Sequence, residues 1–148
     1  MKRAHEVRLA GRWQDAQAID RVVLDAHERT RRRVILTGAG GTTFLLDLAN
    51  PATLRDGDGL VLEDGSIVRV TRKPEPLIEI AATTAQDMAR IAWHLGNRHT
   101  DIQIVGGRLR IQRDHVLEAM LRGLGAQLTE LEAPFDPEPG AYGHRHER

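Results

Sequence analysis

The chain contains no cysteine. That excludes disulfides and thiolate metal sites, so any transition-metal site must be built from nitrogen and oxygen donors. Aromatic residues are also scarce, with two Trp, two Phe and one Tyr among 148 residues. Aliphatic side chains must therefore form the core. The single serine, Ser66, follows the turn signal Asp64-Gly65, which gives little support to a serine nucleophile. No run approaches the roughly 18 apolar residues of a membrane span. The start, Met1-Lys2-Arg3-Ala4-His5-Glu6, lacks the apolar stretch of a secretory signal. The expectation is a cytoplasmic chain with no membrane partner. Net charge is absent too: 21 Lys and Arg balance 21 Asp and Glu, so no overall field favours a nucleic acid.

What is present divides near Lys73-Pro74-Glu75-Pro76, where two prolines remove amide donors and suit a linker. Before it the pattern is β. Short strand-like runs cover 21–25, 33–37, 42–48, 60–62 and 67–70, separated by Gly38-Ala39-Gly40-Gly41, Asp56-Gly57-Asp58-Gly59 and Asp64-Gly65. Close spacing of short strands predicts a small barrel or sandwich. After the linker the pattern alternates. Leu77-Ile78-Glu79-Ile80 reads as a strand. Thr83 or Thr84 can cap a helix whose apolar residues Met88, Ile91, Ala92 and Leu95 recur at helical spacing, with Gly96 as a left-handed stop. Residues 102–105 and 109–111 flank Gly106-Gly107 as a hairpin. Asp114 caps a second helix, with Val116 or Leu117, Met120, Leu121 and Leu124 inward and Gly125 as its end. Residues 126–131 form a last strand. The order β-α-β-β-α-β is the ferredoxin-like motif.

The fold class is thus α+β: a small all-β domain over 1–73, a ferredoxin-like βαββαβ domain over 77–133, and a flexible C-terminal tail over 134–148. The tail carries three prolines and no apolar periodicity.

The candidate chemistry lies in histidines. His144 and His146 stand one residue apart in the tail, and His99 follows Gly96-Asn97-Arg98 just past a helix end. Imidazole binds nickel, copper and zinc well, and sequence physics does not separate these ions. One loop histidine holds a divalent ion weakly. A two-fold axis through His99 would supply it twice. His94 reads as a packed or capping residue near the negative helix end. His115 opens the second helix and is either an auxiliary metal ligand or a surface residue. His5 and His27 have no partner spacing. The basic run Arg29-Thr30-Arg31-Arg32-Arg33 reads better as a solvated turn than as a phosphate patch. Gly38-Ala39-Gly40-Gly41-Thr42-Thr43 lacks the Lys of a P-loop and reads as a strand connection. Asp114 and His115, as sequence neighbours, cannot form triad geometry.

Three segments then carry a resemblance: Trp93-His94-Leu95-Gly96-Asn97-Arg98-His99, Leu109 to Gly125, and Ala133-Pro134-Phe135-Asp136-Pro137-Glu138 through Gly140-Ala141-Tyr142. Together with Leu54-Arg55-Asp56-Gly57-Asp58 and Glu63-Asp64-Gly65, they resemble the urease accessory protein E family, the urease nickel metallochaperones. The resemblance covers most of the chain. It implies an N-terminal peptide-binding domain, a metal-binding second domain and a homodimer through that second domain. It further implies that His99 from each subunit binds nickel at the interface, with tail histidines His144 and His146 completing or feeding the site. His115 matches an outer histidine that some members pair with another two positions earlier. Here that earlier position is Arg113.

The resulting expectation is a non-enzymatic carrier of Ni(II) as cargo, able to take Zn(II) or Cu(II) in vitro. Its expected partners are a urease accessory GTPase and the apo-urease complex. Two other classes are a peptide-binding adaptor with incidental metal, and a metal-dependent hydrolase using His99 and Asp101. The second lacks a base-and-nucleophile constellation.

Overall fold

A computed structural model describes residues 1–140. The chain divides into two compact units, one of residues Met1–Lys73 with the described residues 139–140, and one of residues Pro74–Glu138.

The first unit is one curled six-stranded sheet. Its strands are β1 (Lys2–Arg8), β2 (Ala18–Leu24), β3 (Arg33–Thr37), β4 (Thr43–Asp47), β5 (Gly59–Leu62) and β6 (Ile67–Arg72), with a four-residue helix α1 (Ala26–Arg29). They are ordered β2-β6-β5-β1-β4-β3. Alternate residues point inward: Val22 and Leu24, Phe44 and Leu46, Leu60 and Leu62, Val68 and Val70 all belong to one buried cluster. This is the two-residue period expected of half-buried strands. The outermost strands approach at one end, where the Ala39 amide after β3 donates to the Arg21 carbonyl of β2 at 2.8 Å. The result is nearer to the expected barrel than to a sandwich.

Strand β1 is invisible to pattern reading because only Ala4 of Lys2–Arg8 is buried. Its place comes from pairing with β4 and β5. The basic run also resolves into separate structural duties. Arg29 is buried at the end of α1, Arg32 donates to the Leu48 carbonyl, and Arg33 pairs with Asp47.

The glycine-rich connection Gly38–Thr42 proves to be an internal anion cradle. The Asp20 carboxylate accepts the Gly40 and Thr42 amides at 2.8 and 3.1 Å, and the Arg21 amide at 2.7 Å. A Cβ at Gly38 would stand 2.3 Å from Asp20 Oδ2. Glycine is needed there for close approach, and a carboxylate from β2 takes up the loop's amide donors. Burial works to raise the Asp20 pKa, but the three amide donors outweigh it and lower it to about 2.

The second unit follows the ferredoxin-like order: β7 (Pro74–Ala81), α2 (Ala85–Asn97), β8 (Gln103–Val105), β9 (Arg108–Gln112), α3 (His115–Gly123) and β10 (Gln127–Pro134). Its antiparallel sheet is ordered β10-β7-β9-β8. Both helices bury residues against one face, through Ile78, Ile80, Ile91, Leu95, Leu109, Ile111 and Leu121. Thr84 is the cap of α2, accepting the Asp87 amide, and Asp114 caps α3 by accepting the Leu117 amide. The inward residue of the expected pair is Leu117; Val116 is exposed.

Three expectations are corrected here. The segment read as a linker is the start of β7, and Pro74 and Pro76 pair with Pro134 and Glu132 of β10. Strand β9 reaches β7 only from Leu77 onward, so the prolines sit where β7 has a single neighbour and missing amides are tolerated. The tail, expected to leave the fold at residue 134, stays packed through residue 138. Phe135 is 1% exposed, the Asp136 amide donates to Gln103 Oε1, and the Glu138 amide donates to the Ile102 carbonyl at 2.7 Å. Finally, Gly96 is not the left-handed stop of α2, which runs through it to Asn97.

Candidate metal centre

The left-handed position at the end of α2 belongs to His99, with φ +57°. Among the described residues it is the sole non-glycine with positive φ. The His99 amide donates to the Gly96 carbonyl at 3.0 Å and the Thr100 amide to the Leu95 carbonyl at 3.1 Å. These two bonds are the Schellman closure, in which the first residue past the cap turns left-handed. Glycine is the usual occupant, and an L-residue there costs about 1–2 kcal/mol. Histidine is one of the few side chains enriched at such positions. The fold therefore accepts backbone strain to place an exposed imidazole past the end of a 13-residue helix. That end carries the negative pole of the helix dipole, which favours a bound cation.

The other histidines are placed differently. His94 is half-buried in the last turn of α2, edge-on to Trp93 with ring centroids 5.0 Å apart. His115 is exposed at the first residue of α3. Two positions earlier, Arg113 donates to Glu118 at 3.0 Å and pairs with Glu130 at 2.9 Å. Glu118 is 3% exposed. The Arg113 hydrogen bond holds its carboxyl below the ordinary glutamate range against the opposing effect of burial, and the Asp114 amide helps. Arg113 is thus a structural counter-ion and offers no lone pair to a metal. His5 Nδ1 lies 3.2 Å from the Asp47 carbonyl, and His27 is part of α1. His144 and His146 lie outside the described residues.

Among the described residues, no group of three or more His, Asp or Glu is arranged to hold a metal ion. Beside His99 lies an open cleft of about 410 Å³, lined by Arg98, Thr100, Asp101, Gln112, Asp114 and Leu117 among others. The tail root reaches the same neighbourhood, because Glu138 is bonded to Ile102, three residues after His99. Pattern reading missed this anchor. The apolar Phe135 in a proline-rich stretch was its only signal.

The sequence profile described as the N-terminal domain of UreE urease accessory protein matches residues 2–72, and that of its C-terminal domain matches residues 75–148. The chain belongs to the UreE urease accessory protein family. Several relatives carry the name urease accessory protein UreE. The one from Bradyrhizobium sp. strain BTAi1 is 55% identical over 142 residues, covering 96% of this chain and 68% of its own. The one from Rhodopseudomonas palustris strain HaA2 is 52% identical over 147 residues, covering 99% and 68%. The one from Ruegeria pomeroyi strain DSS-3 is 45% identical over 139 residues, covering 94% and 90%. Membership gives this UreE-family chain an accessory role in urease maturation and an interaction with the urease maturation machinery. No helix among the described residues is long and apolar enough to cross a membrane.

Proposed function

We propose that the chain is the nickel carrier of urease maturation. It forms a homodimer through the second unit and binds Ni(II) between the two copies of His99. It then delivers the ion to apo-urease in the cytoplasm together with the urease accessory GTPase. The observation that carries this reading is the strained, exposed His99 at the negative end of α2. Backbone strain held at a ligand-type side chain is a mark of a functional position. A single chain offers too few donors among its described residues, and a two-fold axis doubles His99 without any new residue.

His144 and His146 fill further coordination positions from the tail, whose root is tied to Ile102. From Glu138, six residues of chain span at most about 20 Å, enough for His144 to return to His99. A site of neutral imidazoles with water in the remaining positions releases its ion more readily than a closed shell, as a carrier requires. His115 is a peripheral ligand that takes metal after the central site is filled. Zn(II) and Cu(II) compete for the same imidazoles in vitro. The deciding experiment is calorimetric titration of nickel into the native chain and into His99→Ala. The expected result is one tight ion per dimer that the substitution abolishes; near-native affinity in the variant would falsify the interface site.

The first unit supports a second reading, a peptide-binding adaptor in the same maturation complex with metal incidental. It contains a cavity of about 280 Å³ lined mainly by apolar residues, including Val7, Leu9, Leu48, Ala52 and Leu54. Capture of maturation partners that does not respond to nickel, and survives His99→Ala, favours this reading over the carrier.

A further inference from the structure

Resting on the nickel-carrier reading, we propose that the segment Phe135–Glu138 is a strap that positions the metal ligand. By tying down the start of β8 it holds the loop from His99 to Ile102 in the strained conformation that presents the imidazole. The strap lies within the second unit. Its sequence, Pro134-Phe135-Asp136-Pro137-Glu138-Pro139, leaves backbone donors only on Phe135, Asp136 and Glu138. Two of these three are given to the chain just past His99. The Glu138 amide donates to the Ile102 carbonyl at 2.7 Å, and the Asp136 amide to Gln103 Oε1 at 3.1 Å. Phe135, 1% exposed, anchors the strap at its first residue. The interleaved prolines fix φ, so little backbone freedom is lost when the strap docks.

Left-handed backbone at a residue with a Cβ persists only where the surroundings over-determine it. At His99 half of that constraint is the helix closure, made by the His99 and Thr100 amides. The loop needs a fixed far end as well; otherwise it relaxes through the His99 dihedrals, and the ring moves with them. Strand β8 supplies little by itself. It is three residues long, sits at the sheet edge and pairs with β9 alone, through Gln103 to Val105. A short edge element of this kind opens easily. Ile102 packs against the core of the unit. The strap adds one hydrogen bond to the Ile102 carbonyl and another to the side chain of the next residue. The Glu138 side chain is exposed, so that tie is made by its backbone amide.

The test compares two substitutions at one position of the full chain. Glu138→Pro removes the bonded amide, and Glu138→Ala keeps it. Glu138→Pro is expected to weaken nickel binding about threefold to tenfold, the worth of one net hydrogen bond, with Glu138→Ala at native affinity. A metal-free readout separates this proposal from the carrier reading. The Thr100 amide should exchange with solvent faster by a similar factor in Glu138→Pro and at the native rate in Glu138→Ala. Gln103→Leu against Gln103→Glu repeats the comparison at the other bond, because glutamate keeps an acceptor oxygen for the Asp136 amide. This second pair decides the matter where Glu138→Pro does not fold. Native nickel affinity in the variant that lacks the bond overturns the positioning role. Equal losses in Glu138→Ala and Glu138→Pro also overturn it, since they assign the effect to the side chain. Weakened nickel binding with native Thr100 exchange does the same, because the strap then acts on something other than the His99 loop. If His99→Ala binds nickel normally while Thr100 exchange still responds to Glu138→Pro, the carrier reading fails and the strap's hold on the loop stands.

Discussion

His99 and Gly125 hold the same place in two copies of one helix ending. After α3, the Gly125 amide donates to the Arg122 carbonyl and the Ala126 amide to the Leu121 carbonyl, as His99 and Thr100 do after α2. Gly125 has φ +82° and His99 φ +57°. One closure is made with the residue the geometry favours, and the other with the histidine of the proposed nickel site.

His99→Gly should therefore stabilise the second unit while removing the proposed nickel site. Relief of the left-handed strain is worth about 1–2 kcal/mol, from which glycine's extra unfolded-state freedom subtracts about 0.5–1. A net gain of about 0.5–1 kcal/mol is expected in denaturant unfolding, with nickel binding lost in the same sample. Gly125→Ala should do the reverse and cost about 1–2 kcal/mol, although a Cβ there meets nothing within 4 Å. A destabilised His99→Gly would remove the strain argument.

Asp20→Asn tests the cradle in the first unit. The amide donors lower the Asp20 carboxyl from its ordinary 3.8 to about 2 in the folded chain. Its contribution is therefore complete above pH about 4 and is lost as pH falls from about 4 to 2. The substitution should cost on the order of 1–2 kcal/mol at neutral pH, a small fraction of that at pH about 2, and nothing below it. Acid unfolding curves of the two proteins should converge through that window; parallel curves would contradict the cradle.

Phe135→Ala should cost about 3–5 kcal/mol, the usual range for a fully buried aromatic. Ending the chain after Gly140 should leave thermal unfolding unchanged while weakening nickel binding. A mild Phe135→Ala would mean that this anchor does not hold the tail root.

Arg113→Ala removes the main hydrogen-bonding counter-ion of the buried Glu118 and should destabilise the second unit measurably in denaturant unfolding. His115→Ala, in contrast, should spare stability and the tight nickel event, and reduce only a later, weaker one. Loss of the tight event in His115→Ala would move the centre from α2 to α3.

Much of this architecture was legible along the chain. Period-two and helical spacing identified most strands, both long helices and the βαββαβ order, because local burial periodicity survives folding. The caps Thr84 and Asp114, the Gly106-Gly107 hairpin and the Gly125 stop were legible as well, since they depend on short-range geometry. His99 stood out as a loop histidine, and the motif around it carried the family resemblance. Tertiary structure alone decided the rest. Lys2–Arg8 became a strand through pairing with β4 and β5 rather than through its own apolar content. Pro74 and Pro76 entered a sheet because, among the described residues, that part of β7 pairs on one side alone, with β10. The glycine-rich loop received Asp20 from 20 residues away. The left-handed turn passed over Gly96 and fell on His99, because the hydrogen-bond register of α2, set by packing Ile91 and Leu95, determines where the helix must close.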